Sequence, residues 1–379
     1  MPARDVESAS SPAPGWRRRA AQAPATTLLI GLCAIAFALT LALVGTLSED
    51  PASALLHSLW SIDSDAGLVQ LGALELSRVW LDQEWWRLLT AAFLHGSWLH
   101  LLLNLSALGS IGEWLEPAIG SLKTLAIFLI AALGGSLASL LWCEAPVVVG
   151  ASGGILGLAG ALLYIRLSPS PTAPTPPNKP SARDLQDISA PSLAIMIALC
   201  LGLGLVVPMI AQAGHVGGLV AGVLAAVSIL KRGPLRWAAS IALIALFAFG
   251  LFSGAAPLER SNYHLFLGYR FQDADLHGQA LESFERALER DAEDPSLANA
   301  VAYNLSLAGR DLGRADQLVD RALADQPDNS DYLDTKGWIA CRRGEPKDGL
   351  QWLRRANRAT EEPSPEVLEH LDTCVNAAP

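Results

Sequence analysis

Read for its apolar and polar positions, the chain falls into two unlike parts. Up to Ala256 it is dominated by long uncharged runs: Ala25–Leu47, Leu88–Ile111, Thr124–Trp142, Val147–Ile165, Ala190–Ala213, His215–Leu230 and Trp237–Ala256. Several exceed the roughly 18 residues that mark a membrane-crossing helix, and the shorter ones follow with little separation, so the pattern predicts seven spans. The first run imitates a secretory signal, with Arg17-Arg18-Arg19 before it and Ala52-Ser53-Ala54 after it. Its apolar part, about 20 residues, is longer than the roughly 7–15 of a signal core, which predicts a retained helix. From Ser261 onward apolar residues recur at helical spacing instead. Ala280, Phe284 and Ala287 return as Ala315, Val319 and Ala322, and then as Gly349, Leu353 and Ala356, with periods of 35 and 34. The expected fold is therefore all-α: a polytopic membrane helical bundle followed by a soluble α-helical repeat domain.

The segments between the runs refine this picture. Met1 to Pro24 is small, polar and proline-containing, a basic tail expected to be disordered. Ser48 to Arg87 forms a long loop carrying Trp60, Trp80, Trp85 and Trp86, and indole rings favour the membrane–water interface. Ser168–Ala190 holds a proline-rich stretch that reads as an extended linker.

Composition agrees with a membrane protein: of 379 residues, 51% are hydrophobic, and the mean hydropathy is +0.32. Placing the N-terminus in the cytoplasm puts Arg17 to Arg19, Lys123, Arg166, Lys179, Arg183, Lys231, Arg232 and Arg236 inside, and leaves mainly Arg78 and Arg87 outside. Seven spans then put the C-terminus outside. Residues Ser261 to Pro379 carry 22 acidic and 13 basic side chains, so nearly all of the chain's net charge of −10 lies there. No basic nucleic-acid footprint, phosphate loop, cofactor site or metal-ligand spacing is evident. The five cysteines form no CxxC. Cys341 and Cys374 share the tail, where an extracytoplasmic setting would allow them to pair.

Candidate chemistry is concentrated in three of the runs. Gly150-Ala151-Ser152-Gly153 opens the fourth, and Gly214-His215-Val216-Gly217-Gly218 opens the sixth. Taken alone, Ser152 reads as one more small residue easing helix packing and His215 as a hydrogen-bonded structural histidine. Together they form a possible nucleophile and base, a pairing that works irrespective of order in the chain. Gly153 and Gly157 have the small-xxx-small spacing, and Gly214, Gly218 and Gly222 offer a complementary bare face. The second run carries His95, His100 and Asn104, polar groups that are costly in lipid and belong in a protein interior or cavity. On one continuous helix, His100 and Asn104 share a face while His95 lies about 140° from His100. The expected topology collects all five residues in the outer half of the membrane. The third run is plain, with Gly134-Gly135, and is assigned to scaffolding.

The set Trp86-Arg87, His95, His100-(x)3-Asn104, Glu116, Gly150-Ala151-Ser152-Gly153 and Gly214-His215 resembles the rhomboid intramembrane serine proteases over about Ala25 to Leu230. The resemblance implies the rhomboid fold, six core spans plus one here, and a dyad of Ser152 as nucleophile and His215 as general base. His100 and Asn104 match the family's oxyanion-stabilising pair, alongside backbone N–H groups near Ser152. His95, Trp86, Arg87 and Glu116 match its structural positions, with Trp86-Arg87 anchoring the outer loop. Many rhomboids carry a tyrosine one turn after the serine, and here that position is Leu156.

The tail resembles tetratricopeptide repeats, with Leu267-Gly268 in the first unit, Pro327 after the second and Gly337 in the third. It departs from that pattern at Ala292, where proline is usual, and in an apparently shortened turn near Gly313. Pro365–Cys374 reads as a capping helix. The resulting layout is a tail at 1–24, a protease core at 25–232, an extra seventh helix at 233–257 and a repeat domain at 262–379. The functional expectation is an endopeptidase that needs no cofactor or metal. It would cleave transmembrane protein substrates within a lipid bilayer, by default a bacterial plasma (inner) membrane, and its repeats would hold a protein or peptide partner. The alternatives are a catalytically silent rhomboid-like protein that binds membrane proteins for trafficking or quality control, and a transporter whose histidines relay protons.

Overall fold

The computed structural model describes residues 22–47, 58, 65–142, 147–168, 189–206, 211–255, 261–360 and 364–377. Arg17 to Arg19, Trp60, Cys143 and most of the proline-rich linker lie outside these. The chain divides into two compact units, Met1–Ala255 and Ala256–Pro379.

The first unit is an apolar helical bundle, and the chain is an integral membrane protein. Its elements are α1 (Pro24–Leu47), α2 (Asp65–Gln70), β1 (Leu74–Glu75), α3 (Leu76–Leu81), α4 (Arg87–Thr90), a 3-10 turn at Ala91–Phe93 and α5 (Trp98–Ile119). There follow α6 (Ser121–Trp142), β2 (Val147–Val148), α7 (Ser152–Leu167), α8 (Ala190–Val206), α9 (Gln212–Leu230) and α10 (Pro234–Ala255). By length and composition, α1, α6, α9 and α10 can each cross a membrane. The pair α4 to α5 makes a fifth such segment if its two bent parts count as one. The shorter apolar helices α7 and α8 occupy the two remaining predicted runs.

One expectation is corrected: the second run is not one continuous helix. Its two parts meet at 91°. Ser97, with extended backbone, caps α5 by accepting a hydrogen bond from His100 N at 3.1 Å. A serine in that role fixes a helix start, because its oxygen satisfies an N–H that has no partner inside the helix. His95 consequently sits in the connection, off the helix on which an angle to His100 would have meaning.

Two buried charges hold the bundle's ends. Glu116 receives Ala25 N and Thr26 N at 2.8 Å each and Thr26 Oγ1 at 2.7 Å. A carboxylate there satisfies orphan donors at the start of α1 and complements its dipole. Arg87, buried, donates from Nη1 to Val69 O at 2.6 Å and Ala73 O at 2.9 Å, and from Nε to Glu84 Oε2 at 2.6 Å. It thereby pins the loop that leads into β1, while half-exposed Trp86 lies against its guanidinium. Trp80, unlike Trp86, is buried within the protein. The loop also pairs antiparallel with the segment before Ser152, Leu74 opposite Val148 and Glu75 opposite Val147, a ladder that the sequence pattern does not announce.

The second unit stacks helices in pairs: α11 (Ser261–Asp273) with α12 (His277–Arg290), α13 (Pro295–Leu307) with α14 (Leu312–Asp325), and α15 (Ser330–Arg342) with α16 (Pro346–Ala359), closed by α17 (Pro365–Ala377). The periodic residues on α12, α14 and α16 are all buried. A Cβ on Gly268 would lie 2.6 Å from the Phe284 ring, and one on Gly337 2.6 Å from Leu353. Asp294 and Asn329 cap α13 and α15. The turn near Gly313 is not shortened; it runs 308–311, against 274–276 and 343–345 in its counterparts. Cys341 and Cys374 form a disulfide with their Cα atoms 5.7 Å apart, tying α17 to α15.

Candidate active site

Three apolar helices meet almost without side chains between them. A Cβ on Gly218 of α9 would overlap the backbone of Gly153 on α7, and one on Gly222 would overlap Gly157. At the head of α9, a Cβ on Gly135 of α6 would lie 2.7 Å from Gly214 O. Glycine is required at such crossings because any larger residue holds the backbones apart, and close approach is what drives association where no hydrophobic effect operates between helices.

This contact brings the two candidate residues together. His215 Nε2 lies 2.8 Å from Ser152 Oγ, a hydrogen bond spanning 63 positions of sequence. Ser152 is the first residue of α7, so the unpaired N–H groups of the first turn surround it. The turn before it depends on Gly150, whose φ of +126° is strained for any residue with a Cβ. Gly150 N donates to Ala91 O at 2.9 Å, fixing the turn to the 3-10 segment. A Cβ on Gly150 would also lie 2.8 Å from the His100 ring. His100 thus approaches the turn before Ser152 directly across a bare glycine.

Of the remaining predicted residues, His95 and Asn104 pack against His100. His95 is fully buried, its ring edge-on to His100 with centroids 5.0 Å apart. Asn104 is buried on α5 and its Nδ2 donates to His100 O at 2.9 Å, a bond within its own helix. Leu156 is buried one turn beyond Ser152. Glu116, Arg87 and Trp86 lie outside the group, in the roles described above. Among the described residues no group of acidic, histidine or cysteine side chains has the arrangement of a metal site.

A cavity of about 50 Å³ opens beside Ser152 and His215. Its walls include Ala91, Ala92, Gly135, Ser136, Ser139 and Val149. Sequence reasoning left the third run as scaffold and so missed Ser136 and Ser139 on α6. The available signal was Gly134-Gly135, which marks a face where another helix packs closely. The site holds a hydroxyl hydrogen-bonded to an imidazole, the N–H groups of a helix's first turn and a small recess, an arrangement that can serve acyl transfer.

Comparison with known proteins bears on the same region. Residues 82–232 match the rhomboid domain family. The chain is 32% identical over 274 residues to the rhomboid protease GluP of Bacillus subtilis, covering 70% of this chain and 50% of that one. It is 32% identical over 177 residues to RHOMBOID-like protein 4 of Arabidopsis thaliana, covering 46% and 41%. It is 43% identical over 93 residues to rhomboid-like protease 5 of Toxoplasma gondii, covering 24% and 11%. The chain spans half or less of the length of these relatives. The matches support the rhomboid family.

Proposed function

We propose that this chain is an intramembrane serine endopeptidase that cleaves transmembrane segments with a Ser152–His215 dyad. The observation that carries the reading is the 2.8 Å contact between Ser152 Oγ and His215 Nε2 at the head of α7. A serine hydroxyl is a weak nucleophile until an adjacent base takes its proton.

In this reading Ser152 Oγ attacks the scissile carbonyl of an unwound substrate segment while His215 Nε2 accepts the hydroxyl proton. The negative charge that develops on the carbonyl oxygen meets the N–H groups and positive dipole end of α7, already oriented before reaction. His100 adds its ring across Gly150, and Asn104 supports it from the next turn of the same helix face. His215 then gives its proton to the leaving amine, and an acyl ester remains on Ser152. Water admitted to the recess, deprotonated by His215, hydrolyses that ester and restores the hydroxyl. No acidic third residue is invoked.

The helical repeats of the second unit fit the tetratricopeptide pattern and supply a surface for a substrate or partner protein. In this reading the bundle lies in a bacterial inner membrane, and the excess of lysine and arginine on one side supports a cytoplasmic N-terminus and a second unit on the outer side. A disulfide between Cys341 and Cys374 suits that oxidising side. The direct test is cleavage of a generic transmembrane substrate in detergent. Ser152→Ala is expected to lower the rate by at least about 10³-fold; cleavage by that variant at the wild-type rate would refute the assignment.

A further inference from the structure

His215 can act as a base only in one tautomer. If Nε2 is to accept the Ser152 proton, the ring's own proton must sit on Nδ1, which then needs an acceptor of its own. That Nδ1 atom is buried and no protein group pairs with it. An unpaired donor inside a protein is costly, so a second group is required nearby.

One hydroxyl is in the matching state. Ser139 of α6 is fully buried and its Oγ also has no protein partner. It is pressed against the backbone next to the base: a Cβ on Gly214 would lie 2.8 Å from Ser139 Oγ. Ser139 and His215 both border the cavity of about 50 Å³, which leaves the serine side chain room to turn toward the imidazole. Leu156, packed one turn beyond Ser152, offers the ring no hydrogen bond.

We propose that Ser139 is a positioning residue for the reaction: by a turn of its side chain its Oγ accepts the hydrogen bond from His215 Nδ1–H. This fixes the tautomer and the plane of the imidazole, the task a carboxylate performs in a three-residue triad. Ser139 touches neither substrate nor nucleophile. The inference rests on the dyad reading above and makes α6 a working part of the site rather than scaffold.

The test is steady-state cleavage of a generic transmembrane substrate by the full-length protein in detergent, comparing wild type with Ser139→Ala, Ser139→Thr and Ser152→Ala. The expected result is a kcat about tenfold lower for Ser139→Ala with KM within about twofold, and recovery toward wild type in Ser139→Thr, which keeps the hydroxyl. If Ser139→Ala turns over like wild type while Ser152→Ala is inactive, the positioning role is overturned and the dyad stands. If both Ser139 variants lose kcat together with thermal stability, Ser139 serves packing alone and the inference is equally overturned. Cleavage by Ser152→Ala at the wild-type rate would instead remove the reading on which the inference rests.

Discussion

At Gly218 a single added methyl group would meet the backbone of Gly153, the neighbour of Ser152. Gly218→Ala must therefore separate α7 from α9 or distort both, at a cost of about 1–3 kcal/mol. Its thermal unfolding is expected to move down and its rate of substrate cleavage to fall, because the hydrogen bond to His215 spans that contact. Unchanged activity and stability would mean that the helices are not packed this closely. Glu116→Ala leaves the first N–H groups of α1 buried without partners and is expected to destabilise by about 1–3 kcal/mol, read by the same unfolding measurement. These two effects separate packing from capping. The sequence made Ser152, His215 and the glycine faces legible because glycine spacing and intramembrane polarity are both unusual. Ser139 was not legible, since a serine in an apolar helix is common and its role depends on the rotation of α6 about its axis.

At the level of elements, the second run shows where hydrophobic periodicity ends as a guide. An apolar count from Leu88 to Ile111 cannot register the 91° turn, because the residues on both sides of it are equally apolar. The local signal was His95-Gly96-Ser97: a glycine followed by a good N-cap residue. The short ladder of Leu74 with Val148 was unreadable for another reason, because two-residue strands have no period to detect. In the second unit the 35- and 34-residue repeat predicted both the buried faces and the closing helix. What holds α17 can be tested by itself. Cys374→Ser removes a bond that constrains a loop of 33 residues, worth about 2–4 kcal/mol. Hydrogen exchange across 365–377 in the full-length protein is expected to quicken, with the exchange of α7 and α9 unaltered. Equal exchange in variant and wild type would show that packing alone secures the helix.

The whole molecule joins an apolar, nearly neutral bundle to an acidic helical stack. Such a division of charge suits one part that resides in lipid and another that meets partners in water. If the stack recruits substrates, truncation after Ser261 should weaken cleavage of a natural substrate several-fold more than that of a generic transmembrane peptide, as loss of a tethering contact lowers effective concentration. Equal loss for both would count against recruitment. The architecture in this sense was readable from composition and period alone, whereas the proposed activity rests on one contact between residues 63 positions apart. The measurement that tests that contact most directly is labelling of the purified, detergent-solubilised protein with a fluorophosphonate probe, alongside Ser152→Ala and His215→Ala. Wild type alone is expected to be labelled, since the probe reacts with a serine only when a base activates it. Absence of labelling in folded wild type, or labelling that survives Ser152→Ala, would contradict that expectation.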